Sequence, residues 1–302
     1  MKILLAGASG LVGGRLSDYL AKKNLKVINV SRKKKVNFLK INWNSQGNIN
    51  NLCRNIDIII NCSGLDIYGS KNKKLTYKAN SKNPLKLLKA ANLNYVKYFF
   101  HLSTYAIYKK NNSNIIDEKT KTAGHDLHTL SKISGENNLI NYSSKKTKLC
   151  IIRSCNLFGY PKYKNKNCWR LLINYLIQNS ITRKSLNINA KKNYYRTYSS
   201  IESFCDFFFK LLKFLTKKKK FPTVINYTSN KVYSIKSIIN IIIKKLIKKK
   251  IFNEKIIFKK KIEEDKKIIF KSLYQSKIKK ISDKFFDKEI SALIDYCKKN
   301  IS

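Results

Sequence analysis

An apolar strand that runs directly into a turn with glycine at every third position leaves a chain few architectures to choose from. Here Ile3-Leu4-Leu5-Ala6 leads at once into Gly7-Ala8-Ser9-Gly10-Leu11-Val12-Gly13, and helical periodicity follows over Leu11–Lys22. The first glycine makes a tight turn, the second lets bare backbone approach an anion, and the third allows close helix–strand packing. The first N–H groups of a helix have no acceptor within it. A phosphate lying over Ser9, Gly10, Leu11, Val12 and Gly13 would therefore meet donors and the positive end of the helix. The pattern predicts a pyrophosphate cradle at the head of a strand–helix unit.

Short apolar runs then alternate with helical patterns. Lys2–Ala6, Lys26–Val30, Ile56–Asn61, Tyr98–Ser103 and Leu149–Arg153 read as buried strands, with helices over Leu11–Lys22, Pro84–Ala91 and Leu130–Tyr142. This alternation predicts an α/β, doubly wound parallel sheet covered on both faces. The second half is less regular. It holds a loop with Pro161, a helix over Trp169–Gln178, a strand near Val224–Tyr227, and Lys-rich helices near Ile235–Lys249 and Asp287–Lys299. We expect a nucleotide-binding domain over 1–160 and a smaller substrate lobe over 161–302, with part of 185–230 returning to the sheet. The Lys clusters at 217–220, 248–250 and 259–261 read as solvated turns and helix ends.

Charge narrows the function classes. The chain has 302 residues, with 64 Lys and Arg against 17 Asp and Glu, a formal charge of +47. Only seven of the basic residues are arginine. A surface built for nucleic acid favours arginine for its bidentate fork, so the lysine excess reads as codon drift. Non-specific attraction to nucleic acid follows in either case and weakens with salt. Seven scattered cysteines, with no C-x-x-C pair, point to a reducing compartment and to no metal site. Met1 almost abuts the first strand, and the greasy runs Phe204–Leu215 and Ile238–Ile247 are broken by Asp206, Lys210, Lys213, Lys244 and Lys245. We therefore expect a cytoplasmic protein without a membrane span.

Strand two ends Val30-Ser31-Arg32-Lys33. A site selective for NAD would place an acid here to hold the ribose 2′-hydroxyl. Ser31 and Arg32 instead predict NADP, with NAD as the alternative.

The segment His128-Thr129-Leu130-Ser131-Lys132-Ile133-Ser134-Gly135-Glu136 resembles Tyr-x-x-Ser-Lys-x-x-x-Glu, the active-site frame of extended short-chain dehydrogenases/reductases. That family includes the NAD(P)-dependent nucleotide-sugar epimerases and dehydratases. Ser131, Lys132 and Glu136 match in order and spacing, and His128 stands in the place of the tyrosine. The 3-3 glycine spacing is similar as well. So are Asp57–Gly64, the helix Asn83–Ala91 opened by Asn80, Arg153-Ser154-Cys155-Asn156-Leu157-Phe158-Gly159, and Arg196–Glu202. Asn42 departs from the family, which often carries an adenine-contacting Asp there.

The resemblance implies a Rossmann-like fold with a smaller C-terminal substrate lobe, and a role for each matched residue. Thr104, in Ser103-Thr104-Tyr105-Ala106-Ile107-Tyr108, would polarise the reacting sugar oxygen. His128 and Lys132, one helical turn apart, would exchange the proton and hold the nicotinamide ribose. Cys62, Ser63 and Gly64 would line the cofactor, and Tyr105, Asn156 and Arg196 would meet the substrate. Tyr105-Ala106 replaces the Asp-Glu pair of the dehydratases, which argues against elimination. An imidazole falls short of a phenol oxygen by about 2 Å, so a bridging water, Tyr105 or Tyr108 enters as a stand-in. With an ordinary pKa of ~6.5, a histidine needs no large shift to work near neutrality. The expected activity is oxidoreduction or epimerisation of a nucleoside-diphosphate sugar, a small-molecule partner, in surface polysaccharide synthesis by a possible homodimer. A catalytically impaired nucleotide-binding or regulatory relative and an RNA-binding protein on the same fold are the alternatives.

Overall fold

The computed structural model describes residues 1–33, 35–109, 114–143, 146–182, 187–188, 192–217, 222–251, 257–258, 263–278 and 285–301. Along the first half run strand β1 (Lys2–Ala6), helix α1 (Leu11–Ala21), β2 (Lys26–Ser31), β3 (Leu39–Lys40), α2 (Gln46–Leu52) and β4 (Ile58–Asn61). A short helix, Lys73–Tyr77, passes through a π-turn at Lys78–Lys82 into α3 (Asn83–Leu93). Then come β5 (Tyr98–Thr104), α4 (Leu127–Tyr142), β6 (Lys148–Ser154) and β7 (Asn156–Phe158). The second half contributes α5 (Leu172–Thr182), β8 (Tyr195–Ser200), α6 (Ile201–Lys217), β9 (Val224–Tyr227), β10 (Val232–Ser234), α7 (Ile235–Lys248) and α8 (Phe286–Asn300).

Among the described residues the main sheet has seven strands in the order β9-β6-β5-β4-β1-β2-β3. Every pairing in it is parallel, with Ile3 opposite Val27 on one side and Ile58 on the other. The strands read as unbroken apolar runs because both faces are buried. Ile3 and Leu5 point into a core shared with Leu16, Phe204, Phe208 and Leu211, whereas Leu4 and Ala6 point the other way, toward Leu87, Leu88 and Leu139. A third core holds Ile173, Ile177, Ile238, Ile242, Ile290 and Ile294, packing α5, α7 and α8 together. A small sheet, β10-β8-β7, lies between the main sheet and this lobe.

Three elements differ from the sequence reading. Helix α4 begins at Leu127, three residues early, because Asp126 accepts from the Thr129 N–H at 2.7 Å and Thr129 Oγ1 answers the Asp126 N–H at 3.1 Å. The helix read at Trp169–Gln178 divides at Leu171 into a 3-10 turn, Lys166–Arg170, and α5. The greasy run Phe204–Leu215 is the heart of α6, which buries Phe204, Phe207, Phe208, Leu211, Leu212 and Leu215 on one face. Of the Lys clusters, 217 ends α6 and 248–250 close α7, while 218–220 and 259–261 lie outside the described residues. No helix among the described residues is long and apolar enough to cross a membrane.

Candidate functional site

The glycine turn is built as its spacing demands. Gly7 sits at φ +83, in the left-handed region that glycine alone tolerates easily. A Cβ on Gly13 would lie 2.3 Å from the Gly7 carbonyl oxygen, so the helix can cross the strand only without a side chain there. Gly10 is different. A Cβ on it would meet only the Gly7 oxygen, at 3.2 Å, so the protein leaves this position open toward the cleft. Gly10 is also the N-cap of α1, no side chain caps it, and no acid stands in the first turn. The free N–H groups of that turn are left for an anion. A pyrophosphate fits this cradle.

A cleft of about 730 Å³ runs along the strand ends. Its lining takes in Gly7, Ser9, Gly10, Leu11, Val12, Gly13, Ser31, Arg32, Cys62, Ser63 and Gly64. Arg32 and Lys33 are exposed at its mouth, and Asp66 is the one acid among its described lining residues. The segment Lys164–Cys168 forms part of the opposite wall. Nothing in its composition marks it in the sequence; it reaches the cleft through the long return from β7. Asn61 anchors the turn at Ser63: its Oδ1 accepts from the Ser63 N–H at 3.0 Å and from the Ser63 hydroxyl, leaving Nδ2 to donate to His101 Nδ1 at 3.1 Å. His101 is thus a buried neutral residue of β5, its pKa pushed far down by burial and then by Lys132.

Helix α4 carries the matched frame. Ser131 donates to the His128 carbonyl at 2.8 Å and accepts from Asn80 Nδ2 at 3.0 Å; Asn80 Oδ1 in turn accepts from the Leu65 N–H at 2.7 Å. The π-turn residue Asn80 is therefore the brace between α4 and the cleft wall. Glu136 is buried in a bidentate pair with Arg153, Oε2 lying 2.6 Å from Nη2 and 3.0 Å from Nε, which ties α4 to β6. Lys132 is buried just behind Gly64, where a Cβ would lie 3.1 Å from its Nζ. Burial lowers its pKa, opposed by Glu136 and Cys62. His128 lies in the first turn of α4 and is half-buried. Burial, then the Lys132 charge, brings its pKa down to about 4, well below the ~6.5 expected from sequence. The positive end of the helix disfavours an imidazolium there as well. At neutral pH the ring is an uncharged acceptor.

Thr104 ends β5, and its Oγ1 accepts from the Ala106 N–H at 3.2 Å, which leaves its own proton to offer. The three substrate candidates converge on one atom: the Tyr105 hydroxyl oxygen accepts from Asn156 Nδ2 at 3.0 Å and from Arg196 Nη1 at 3.2 Å. Tyr108 is not a stand-in for the missing phenol. It is buried in the core, donates to Asn226 Oδ1 at 2.7 Å and lies under Arg153 at 4.8 Å.

A model of the NAD dependent epimerase/dehydratase family matches residues 3–226. No curated protein matches the chain. A solved UDP-glucose 4-epimerase superposes with a TM-score of 0.83 at 18% identity, over 99% of this chain and 98% of that one. UDP-glucuronic acid 4-epimerase from Bacillus cereus, in complex with NAD, gives 0.80 at 21% identity over all of both chains. UDP-glucose 4-epimerase from Thermotoga maritima, with UDP-glucose, gives 0.81 at 15% identity, again over all of both. At these identities the likeness is one of fold.

Proposed function

The chain belongs to the NAD dependent epimerase/dehydratase family, and on that footing we propose that it epimerises or reduces a nucleoside-diphosphate sugar with a bound nicotinamide dinucleotide. Surface polysaccharide synthesis is the pathway we assign to it. The carrying observation is the bare helix N-terminus at Gly10 in a cleft that Gly64 also lines, with the Lys132 ammonium buried behind that glycine. Solved relatives of the same fold hold NAD and UDP-sugars. When bound, the cofactor supplies a hydride acceptor and donor. The remaining work falls to side chains of the chain.

Thr104 offers a hydroxyl proton to the reacting sugar oxygen. His128, neutral at pH 7, accepts that oxygen's proton on a ring nitrogen as the C–H bond breaks, directly or through one water. Lys132 supplies the fixed positive charge beside them. Asn156 and Arg196 exchange the Tyr105 oxygen for diphosphate oxygens, which the guanidinium holds more strongly. Arg32 and the absence of an acid at the end of β2 favour the 2′-phosphate of NADP. In this arrangement residues 1–160 hold most of the cofactor and bring Thr104, His128 and Asn156 to the sugar, while 161–302 adds Arg196 and the wall Lys164–Cys168.

A second reading, a dinucleotide-binding relative with impaired catalysis, is favoured by one fact: a histidine held at about 4 is a weak base. Incubation with a panel of nucleoside-diphosphate sugars and NAD or NADPH, with products separated and identified by mass and NMR, decides between them. We expect an epimer or a reduced sugar. Bound cofactor with every sugar unchanged supports the second reading.

A further inference from the structure

The cleft lies at the C-terminal ends of the strands, and at the opposite edge the helices turn back in corners of one pattern. Asn24 after α1 and Asn55 after α2 stand in the left-handed region, at φ +59 and +56, where asparagine is tolerated. The corner after α3 has the same backbone but a different residue, Tyr95, at φ +56. A bulky side chain is strained there. Burial does not offset the strain, because Tyr95 is 71% exposed and nearby Leu93 63%. Strain kept at an exposed side chain points to a use for that side chain. The surroundings are basic. Lys146, which leads into β6, lies 5.0 Å from the Tyr95 ring centroid. Lys89 of α3 lies 5.3 Å from that of Tyr142, which ends α4 and is 41% exposed. Neither 85–98 nor 137–148 contains an Asp or Glu. Asp57, before β4, is already engaged: it accepts from the Lys2 N–H at 2.7 Å and lies 4.0 Å from the Lys97 ammonium.

We infer that this corner, with Tyr95 at its tip, is a platform for single-stranded nucleic acid. Lysine charge is general to this chain and would draw any polyanion. The exposed tyrosines add what charge lacks, a π-face on which an unpaired base stacks whatever its identity. The ammonium groups beside the rings are placed for the phosphates that flank such a base. A duplex offers the same phosphates but keeps its bases stacked inside, so it meets only the lysines. A bilayer would need a broader apolar surface than Leu93 supplies. The inference stands apart from the cofactor reading, since the cleft lies at the other edge of the sheet.

Fluorescence anisotropy of a labelled oligouridine, and of the same strand paired in a duplex, tests this on the full chain at low salt. The wild type should bind the single strand more tightly than the duplex. Tyr95→Asn suits the left-handed backbone, so the melting temperature should hold or rise. Its affinity for the single strand should nevertheless fall by roughly 5- to 150-fold. The salt dependence should stay that of the wild type, because no charge is removed. Lys146→Gln should instead flatten that dependence, by roughly 0.7 in the logarithmic slope. Wild-type affinity in Tyr95→Asn, or equal binding of strand and duplex, would overturn the inference and leave only non-specific charge. Strand binding that survives in Tyr95→Asn while capture on phosphatidylglycerol vesicles or self-association is lost would assign the corner to a membrane or to a second copy instead.

Discussion

His128 shows how one environment changes what a residue can do. Its ring is pushed down to about 4 by burial and by Lys132 one turn away. The unfolded chain takes that proton near ~6.5, so the folded state binds fewer protons between those values. His128 therefore favours folding above about 6.5, and that contribution is lost as pH falls toward 4. An NMR titration of the ring should give a midpoint near 4; a midpoint above 6 would mean that the ring is solvated and the site more open than described. Gly10 makes the opposite point, since its surroundings tolerate a side chain and its role does not. Gly10→Val should keep the melting temperature within a few degrees and abolish dinucleotide binding in calorimetry. Retained affinity would remove the cradle. The tight turn at Gly7 and the close packing at Gly13 were legible in sequence because backbone geometry leaves glycine few substitutes there. The shifted His128 and the brace at Asn80 were not, because both depend on residues brought together from α4, the π-turn and the β4 turn.

At the scale of elements, α4 is held to the π-turn by a missing side chain. A Cβ on Gly135 would stand 2.1 Å from the Asn80 carbonyl oxygen, closer than any packed atoms lie. Gly135→Ala should cost about 1–3 kcal/mol by overpacking, read by urea unfolding. It should also weaken cofactor binding, because the same helix carries His128 and Lys132. A variant with wild-type stability and affinity would show that α4 does not depend on this contact. The strands β1, β2, β5, β6 and β9 were legible within a residue or so as apolar runs between turns. Helix α6 carried an equally clear signal, apolar residues recurring at 204, 207, 208, 211, 212 and 215, but the charges that exclude a membrane span say nothing of a helix. The start of α4 was obscured because its N3 residue is Thr129, where Glu or Gln is the usual mark of a capping box.

At the scale of the molecule, Arg15 joins the cradle helix to the C-terminal lobe. From α1 its guanidinium donates to Glu289 of α8 at 2.7 Å and to Glu202 of α6 at 3.0 Å, and it stacks on Tyr160 at 3.8 Å. Glu289 also lies against bare backbone, since a Cβ on Gly159 would be 2.4 Å from its Oε1. Burial raises the Glu289 pKa despite Arg15, so the carboxylate depends on its partner. Arg15→Ala should therefore destabilise the protein by about 3–5 kcal/mol, the cost of stranding a buried charge. An unfolding midpoint unchanged in urea would mean that the lobes do not rely on this pair. The claim that joins all three scales is that a sugar carbon gives up a hydride in this cleft while His128 takes the proton. Rapid mixing of the protein loaded with oxidised cofactor with each of a panel of nucleoside-diphosphate sugars, read by the absorbance of reduced nicotinamide, tests it most directly. The account predicts a transient rise that His128→Ala slows by roughly 10²–10⁴ and that His128→Tyr preserves or speeds. No rise in the wild type or in His128→Tyr, with cofactor bound in both, would contradict it.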